Sequence, residues 1–179
     1  MNVLDLVVSF ATKKHEGQYR KGTTIPYIFH PLEVMQILRE NGANLNCVVA
    51  GVLHDTLEDT SATIDEITTL FGTEVSDIIN VESEDKSLPY RERKFEHMQR
   101  VKNSSTNAKM VNCADKLSNI KSMYIDHLTL GEKLWERFNG TKEDIAWYYS
   151  VAIDALEELK DIDMYQKVKY YYQKLFGKN

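Results

Sequence analysis

Apolar residues recur at intervals of three and four along almost the whole chain, and this spacing constrains the fold more than any other feature. It is clearest in two sets of residues: Leu4, Val7, Val8 and Ala11, then Leu32, Met35, Ile37 and Leu38. Such spacing places the side chains on one face of an α-helix. The sequence therefore predicts an all-α fold.

Helix starts are marked by a hydroxyl residue followed three positions later by a carboxylate, the pattern of a capping box. The pattern occurs at Thr63 with Glu66, Thr129 with Glu132 and Thr141 with Asp144. Pro31 and Pro89 fit first-turn positions. These signals predict a bundle of about eight to ten helices. The expected helices cover residues 2–15, 31–41, 45–58, 63–71, 73–82, 89–102, 106–126, 130–138, 142–159 and 162–176, and residues 16–29 form a loop.

The length and composition suit one domain. The chain has 179 residues, of which 42% are hydrophobic, enough for one sizeable core. With only 3 Pro and 8 Gly, a linker between two domains is not expected, so residues 1–179 are predicted to form a single unit. Cys47 and Cys113 lie in apolar periodic segments without the spacing of a zinc or redox motif, and we expect buried, reduced thiols.

The charge and hydropathy patterns restrict the partners. A formal charge of −5 argues against a general nucleic-acid-binding protein. The N-terminus lacks a basic leader, and no apolar run approaches the roughly 20 residues of a membrane span, so we expect a cytoplasmic protein without a membrane partner. The oligomeric state stays open, and a homodimer is compatible with the sequence. The aromatic C-terminal run is either a packing face, which we favour, or a contact surface: Tyr165, Tyr170, Tyr171, Tyr172 and Phe176.

The segment His54-Asp55-Thr56-Leu57-Glu58-Asp59 concentrates polar and acidic groups behind an apolar run. The run at residues 47–53 predicts a buried helix, which delivers His54 and Asp55 at its C-terminal end. Glu58 and Asp59 follow at intervals of four and, if the helix continues, share faces with His54 and Asp55. So many ionisable groups in a core need a cation to neutralise them.

Two other positions complete a candidate metal site. Asp115 interrupts an apolar helix face, and Asn119 and Ser122 extend its polar stripe at helical spacing. His30 precedes Pro31, at the expected start of a helix. Two imidazoles and two carboxylates suit a divalent ion such as Mn²⁺, Fe²⁺ or Zn²⁺, with an open position for water or a phosphate oxygen. Taken alone, Asp115 fits a partly exposed helix face and His30 fits a capping role.

For the other charged residues and histidines, the sequence gives weaker support for a functional role. Arg20 and Lys21 concentrate positive charge near His30, where a small anionic ligand could use them. The remaining histidines have no comparable neighbours in sequence, so we interpret them as surface or structural: His15, His97 and His127.

The order His, His-Asp, Asp on a helical chain resembles the HD-domain metal-dependent phosphohydrolases. Longer stretches make the resemblance specific to the hydrolase domain of the RelA/SpoT proteins, over about residues 3–160. They are His15-Glu16-Gly17-Gln18-Tyr19-Arg20-Lys21, Pro26-Tyr27-Ile28-Phe29-His30-Pro31, Leu53-His54-Asp55-Thr56-Leu57-Glu58-Asp59-Thr60 and Ala114-Asp115-Lys116-Leu117-Ser118-Asn119. Within that group the chain looks most like the stand-alone small alarmone hydrolases, which include the metazoan SpoT-like proteins. The stretch Glu84-Asp85-Lys86-Ser87-Leu88-Pro89 followed by Glu92-Arg93-Lys94 is typical of those short members.

This resemblance implies an HD-domain helical bundle without a synthetase or regulatory domain. The implied activity is that of an Mn²⁺-dependent 3′-pyrophosphohydrolase, which converts guanosine tetraphosphate and pentaphosphate (ppGpp and pppGpp) to GDP or GTP and pyrophosphate. The metal ligands by motif position are His30, His54, Asp55 and Asp115. Glu58 and Asp59 match the acidic pair assigned to catalysis. Arg20 and Lys21 match the basic pair of the nucleotide pocket, Asn119 matches a nucleoside contact, and Ser122 stands where the long members often have Thr.

Two other functions remain compatible with these residues. An HD-type phosphatase or nucleotidase acting on another 2′- or 3′-phosphorylated nucleotide would use the same metal chemistry and would release orthophosphate. A catalytically silent nucleotide-binding module would bind without turnover, and no feature of the sequence favours it.

Overall fold

The computed structural model describes residues 2–84 and 86–177, and within them the regular structure is helical, which confirms the all-α prediction. Asp85, part of one of the motifs above, lies outside the described residues. In chain order the helices are α1 (Val3–Lys14), α2 (Phe29–Glu40), α3 (Leu45–Leu53), α4 (Thr56–Asp59), α5 (Ile64–Phe71), α6 (Thr73–Glu82), α7 (Tyr90–Lys102), α8 (Thr106–Leu130), α9 (Lys142–Ala155) and α10 (Asp163–Phe176). The α1–α2 connection contains one isolated antiparallel bridge, between Tyr19 and Pro26.

The core forms around α3 and the 25-residue helix α8. Every residue of α3 from Cys47 to Leu53 is buried, as its apolar run predicted. Helix α2 packs closely on α3 at Gly51, where an added Cβ would collide with Leu38 Cδ1. Helix α8 packs against α2, α3 and α10, so its buried face lies directly beside the end of α3.

One predicted helix is interrupted in the structure, at the end of α3. A helix over 45–58 was expected, but α3 ends at Leu53 and the chain resumes as the short helix α4. Asp55 has backbone angles of φ −93° and ψ −5°, outside the regular helical range. The Thr56 hydroxyl donates to the Leu53 carbonyl over 2.6 Å, so it satisfies a carbonyl that the break exposes. The break separates His54 and Asp55 from the acids that follow.

The capping signals were mostly correct. The hydroxyls of Thr63 and Thr141 accept backbone N–H groups at the starts of α5 and α9. Thr129 does not start a helix, because α8 continues to Leu130. The C-cap residue that follows is Gly131, whose φ of +56° favours glycine. The expected α-helix at 130–138 is therefore a 3₁₀-helix, Gly131–Arg137. Pro89 is the N-cap of α7.

Three smaller expectations can be compared with the structure. Cys47 and Cys113 are buried free thiols, as predicted. Helix α10 packs on α8 and α9. Tyr165 is buried, as the favoured packing role requires, but Tyr170 is 53% exposed. None of the described helices combines the length and apolar character that crossing a bilayer requires.

Candidate active site

Four predicted ligand groups meet where the end of α3 faces α8. The Nε2 atoms of His30 and His54 lie 3.2 Å apart. Asp115 Oδ1 lies 3.0 Å from His30 Nε2, and Asp55 Oδ2 lies 2.9 Å from His54 Nε2. Ligand atoms of His30, His54 and Asp115 all fall within 4.8 Å of one another, and these three residues are buried. The structure thus brings together groups from three helical segments that the sequence separates widely.

Hydrogen bonds on the outer side of each imidazole fix the orientation of the rings. His54 Nδ1 lies 2.8 Å from the carbonyl oxygen of Gly51, which can only accept, so Nδ1 bears the hydrogen. His30 Nδ1 lies 2.9 Å from the hydroxyl of Ser118. A neutral imidazole with its hydrogen on Nδ1 turns the Nε2 lone pair inward, as a metal ligand requires. This donor set fits a divalent cation.

Both carboxylates are oriented by donors. Asp115 Oδ2 accepts from Lys116 Nζ, and Asp115 Oδ1 accepts from Asn119 Nδ2, each over 2.6 Å. Burial alone would raise the pKa of Asp115, but the Lys116 charge, with further help from His30, keeps this pKa well below its usual range. The Tyr27 hydroxyl donates to Asp55 Oδ2 over 2.6 Å. Both acids are therefore ionised, as metal ligands must be.

The two imidazoles differ in their electrostatic setting. Burial lowers the pKa of His30. Burial acts in the same direction on His54, but the Asp55 charge and the hydrogen bond with Asp115 raise the pKa of His54 well above its usual value. Metal binding to His54 would therefore have to displace a proton that the neighbouring carboxylates favour.

Glu58 and Asp59 lie on α4, at the edge of the same cleft. Lys86 approaches both acids, with its Nζ 3.1 Å from Glu58 Oε1 and 3.6 Å from Asp59 Oδ1. Burial raises the pKa of Glu58, and burial together with the Asp55 charge raises the pKa of Asp59, while Lys86 opposes both shifts. Two carboxylates with raised pKa values beside a metal site are suited to accepting a proton.

The cleft in front of the ligands has a volume of about 470 Å³, within the range of small-ligand sites. The four predicted substrate-binding residues line it: Arg20, Lys21, Asn119 and Ser122. Arg20 Nη2 donates to Asn119 Oδ1 over 3.1 Å, and the same Asn119 amide donates to Asp115. Lys21 lies at the rim, with its Nζ 3.2 Å from Asn139 Oδ1. One basic residue, Arg20, is therefore linked through Asn119 to an acid of the candidate metal site.

Several residues of the site were not identified from the sequence. Tyr27, Lys116 and Ser118 were quoted within motifs without a role, and Glu33 was not considered. A second group of basic and aromatic cleft residues comes from α7 and α9: Tyr90, Arg93, Lys94 and Tyr148. The one signal for four of these residues was position: Tyr27, Glu33, Lys116 and Ser118 each lie within one to three residues of a predicted ligand.

The remaining histidines lie outside the ligand cluster. His15 is buried, and its Nδ1 lies 2.7 Å from Gln18 Oε1. His97 is also buried, with its nitrogens 3.5 Å from Glu82 Oε2 and 3.2 Å from Glu84 Oε1. His127 is partly exposed beside Glu132. The environments of His15 and His127 are compatible with the surface or structural interpretation, whereas His97 also lines the cleft in front of the candidate ligands, which the sequence did not predict.

Comparison with known proteins gives one family and several relatives. A family model described as "HD domain" matches residues 8–129. Guanosine-3′,5′-bis(diphosphate) 3′-pyrophosphohydrolase MESH1 from Xenopus tropicalis is 42% identical over 118 residues, covering 64% of this chain and 66% of that protein. The human protein of the same name is 42% identical over 119 residues, covering 64% and 65%. The matched part of the chain thus spans just under two thirds of these two relatives.

A solved structure is similar over nearly the whole chain. It is described as "A metazoan ortholog of SpoT hydrolyzes ppGpp and plays a role in starvation responses". The superposition has a TM-score of 0.80 at 25% sequence identity and covers 99% of this chain and 98% of the other. The similarity therefore extends over the C-terminal helices, beyond the segment that matches the family model.

Proposed function

Because the chain belongs to the HD domain family, we propose that it is a metal-dependent guanosine-3′,5′-bis(diphosphate) 3′-pyrophosphohydrolase. It would hydrolyse ppGpp to GDP and pppGpp to GTP, with release of pyrophosphate. The observation that carries this proposal is the pair of inward-facing Nε2 atoms of His30 and His54 beside Asp115, within a cleft lined by basic residues. Two relatives at 42% identity bear the name of this activity.

The proposed metal is one Mn²⁺ ion, with His30, His54, Asp55 and Asp115 as ligands. Imidazole and carboxylate ligands suit Mn²⁺ and also Fe²⁺ and Zn²⁺, and the cysteines Cys47 and Cys113 are buried free thiols that do not belong to the cluster. When bound, such an ion supplies Lewis-acid polarisation of a phosphoryl oxygen and lowers the pKa of a bound water. The role of the protein is to aim the ligand atoms, which the outer hydrogen bonds of His30 and His54 achieve.

Glu58 and Asp59 are the proposed catalytic acids. Hydrolysis requires that a water be oriented toward phosphorus and that its proton be removed. Burial raises the pKa of both groups, which makes them better proton acceptors than exposed carboxylates. Lys86 keeps a positive charge beside them, which opposes the rise in their pKa and favours the ionised form that accepts a proton. A positioned general base typically contributes about 10²–10⁴ in rate.

Arg20, Lys21, Asn119 and Ser122 are the proposed substrate-binding residues. Arg20 can grip a phosphate with two hydrogen bonds or stack on a purine, and its guanidinium already lies 6.0 Å from the Tyr27 ring centre. Lys21 is an exposed point charge at the rim of the cleft. Asn119 links Arg20 to Asp115, so a nucleotide bound by Arg20 would have its phosphate ester close to the metal ligands.

The deciding experiment incubates metal-depleted protein with ppGpp, with and without added Mn²⁺, and separates the products by anion exchange. We expect GDP and pyrophosphate in the presence of Mn²⁺, and no turnover by His54→Ala. A matched control is His127→Ala, which changes a partly exposed histidine away from the ligand cluster.

Two outcomes would contradict the proposal. Orthophosphate release from a 2′- or 3′-phosphorylated nucleotide, without activity on ppGpp, would indicate the HD-type phosphatase. Tight nucleotide binding without turnover across several divalent metals would indicate the silent binding module.

A further inference from the structure

The outer nitrogen of His30 is connected to a chain of side chains that the sequence motifs do not assign. His30 Nδ1 lies 2.9 Å from Ser118 Oγ, and Ser118 Oγ donates to Glu33 Oε2 over 2.8 Å. Lys121 Nζ donates to the other Glu33 oxygen, also over 2.8 Å. His30 is 2% exposed and Ser118 is fully buried, so water does not compete for the inner bonds.

The direction of these hydrogen bonds follows from the chemistry of Glu33. Burial would raise the pKa of Glu33, but its hydrogen bonds with Lys121 and Ser118 lower this pKa, so Glu33 is ionised and only accepts. The single hydroxyl hydrogen of Ser118 is therefore used on Glu33. Ser118 Oγ must then accept the hydrogen bond from His30, which places the imidazole hydrogen on Nδ1.

We propose that Glu33 and Ser118 are positioning residues that set the tautomer of His30 and thereby the affinity of the metal site. Without ionised Glu33, the Ser118 hydroxyl can rotate and donate to His30 Nδ1. That arrangement favours the tautomer with hydrogen on Nε2, where Asp115 Oδ1 lies 3.0 Å away to accept it. A hydrogen on Nε2 removes the lone pair that a metal needs.

His54 provides an internal comparison. Its Nδ1 donates to a backbone carbonyl, that of Gly51, and this acceptor persists whatever side chain stands at positions 33 or 118. Of these two candidate ligands, His30 is the one whose Nδ1 relies on a side-chain acceptor. The inference rests on the metal site of the proposed function, but it does not depend on the identity of the substrate.

The first test measures metal retention. Mn²⁺-loaded wild type, Ser118→Ala and Glu33→Ala proteins are dialysed against chelator-buffered series of free Mn²⁺, and bound manganese is measured by elemental analysis. We expect the Ser118→Ala affinity to be about 10–100-fold weaker, the usual effect of losing an outer-shell partner, with Glu33→Ala weakened in the same direction. Ser76→Ala, another buried serine whose hydroxyl donates to the Thr73 carbonyl, is the matched control and should retain wild-type affinity.

The second test observes the hydrogen bond itself. In Zn²⁺-loaded protein, the Nδ1–H protons of His30 and His54 should both give downfield imidazole resonances in ¹⁵N-edited spectra. Ser118→Ala should remove or shift the His30 resonance and leave the His54 resonance in place, a pattern that general loosening of the fold would not produce.

The proposal is overturned if folded Ser118→Ala and Glu33→Ala both bind Mn²⁺ within twofold of the wild type, or if the His30 proton is unaffected. If Ser118→Ala fails to fold, Glu33→Ala decides, because the Glu33 side chain is partly exposed and its loss leaves little cavity. Failure of ppGpp hydrolysis with normal metal binding would contradict the proposed substrate and leave this inference intact.

Discussion

The Tyr27 hydroxyl donates a 2.6 Å hydrogen bond to Asp55 Oδ2, although the two residues lie 28 positions apart. The same carboxylate oxygen is 2.9 Å from His54 Nε2, so the phenol holds Asp55 against the candidate metal site. Burial raises the pKa of Tyr27, with the Asp55 charge acting in the same direction, and the hydroxyl therefore stays protonated as a donor at any physiological pH.

Replacing Tyr27 by Phe removes this donor and keeps the ring. We expect Mn²⁺ affinity to fall by about tenfold, since Asp55 loses one of the contacts that orient it. Metal retention in chelator-buffered Mn²⁺ measures the effect. Tyr124→Phe is the control, because the Tyr124 ring packs against Tyr171 away from the ligands. Unchanged affinity in Tyr27→Phe would show that Asp55 needs no support from the phenol.

Replacing Lys86 by Met should change the pH dependence of hydrolysis. Lys86 opposes the rise in pKa that burial causes at Glu58 and Asp59, so its loss raises both pKa values further. A general base works in its ionised form, and activity is lost as the pH falls through its pKa. The acidic limb of kcat/KM should therefore move to higher pH. Lys167→Met, which removes a lysine paired with Asp163 on α10, should leave the profile unchanged; an unmoved limb in Lys86→Met would exclude these acids as the titrating base.

Replacing Arg20 by Ala should act mainly on substrate binding. The guanidinium lies at the cleft and can bond a phosphate, an interaction with a charged group worth about 1.5–3 kcal/mol. We expect KM to rise by about tenfold or more with a smaller change in kcat, measured by steady-state kinetics on ppGpp. A fall in kcat at constant KM would instead assign Arg20 to the transition state. Arg39→Ala, at the end of α2, provides the control.

Replacing Gly51 by Ala should lower the free energy of unfolding. It should also displace His54, whose Nδ1 donates to the Gly51 carbonyl. The new Cβ would collide with Leu38 Cδ1 and crowd Val34 Cγ1 at 3.3 Å, and overpacking of this kind costs about 1–3 kcal/mol. Urea unfolding of the wild type and variant measures the loss. Gly42→Ala, with open space around its Cβ position but a φ of +75°, separates backbone strain from the steric effect. Equal stability of Gly51→Ala and wild type would show that the Leu38 side chain can move aside at little cost.

The sequence was sufficient to predict the fold class and to select the cluster of His30, His54 and Asp115. The resemblance to HD-domain hydrolases of the RelA/SpoT type is confirmed by the family match and the relatives. The roles of individual site residues, and a single domain over residues 1–179, stay predictions. Helical periodicity was informative because it is set by residues three and four positions apart. Motif order was informative because it can be read directly along the chain.

What the sequence did not reveal depends on contacts between distant segments. Glu33 and Ser118 are 85 residues apart, and no local pattern indicates that they share a hydrogen bond. The break after Leu53 was missed because Thr56 favours it through a bond to a carbonyl, whereas the spacing of the acids fits a continuous helix equally well. Propensity and periodicity cannot register such side-chain-to-backbone competition.

Helix α3 is buried from Cys47 to Leu53 and is followed directly by His54, so one candidate ligand takes its position from the hydrophobic core. Arg20, Lys21 and Lys86, in contrast, project from connecting segments outside the helices. The candidate ligand His54 is therefore held by the core, whereas the rim of the cleft is formed in part by connecting segments. Substitution of Lys21, whose Nζ contacts Asn139 and not a candidate ligand or acid, is expected to alter which compound is admitted while leaving the metal ligands in place, and a change of specificity during evolution or engineering should begin there.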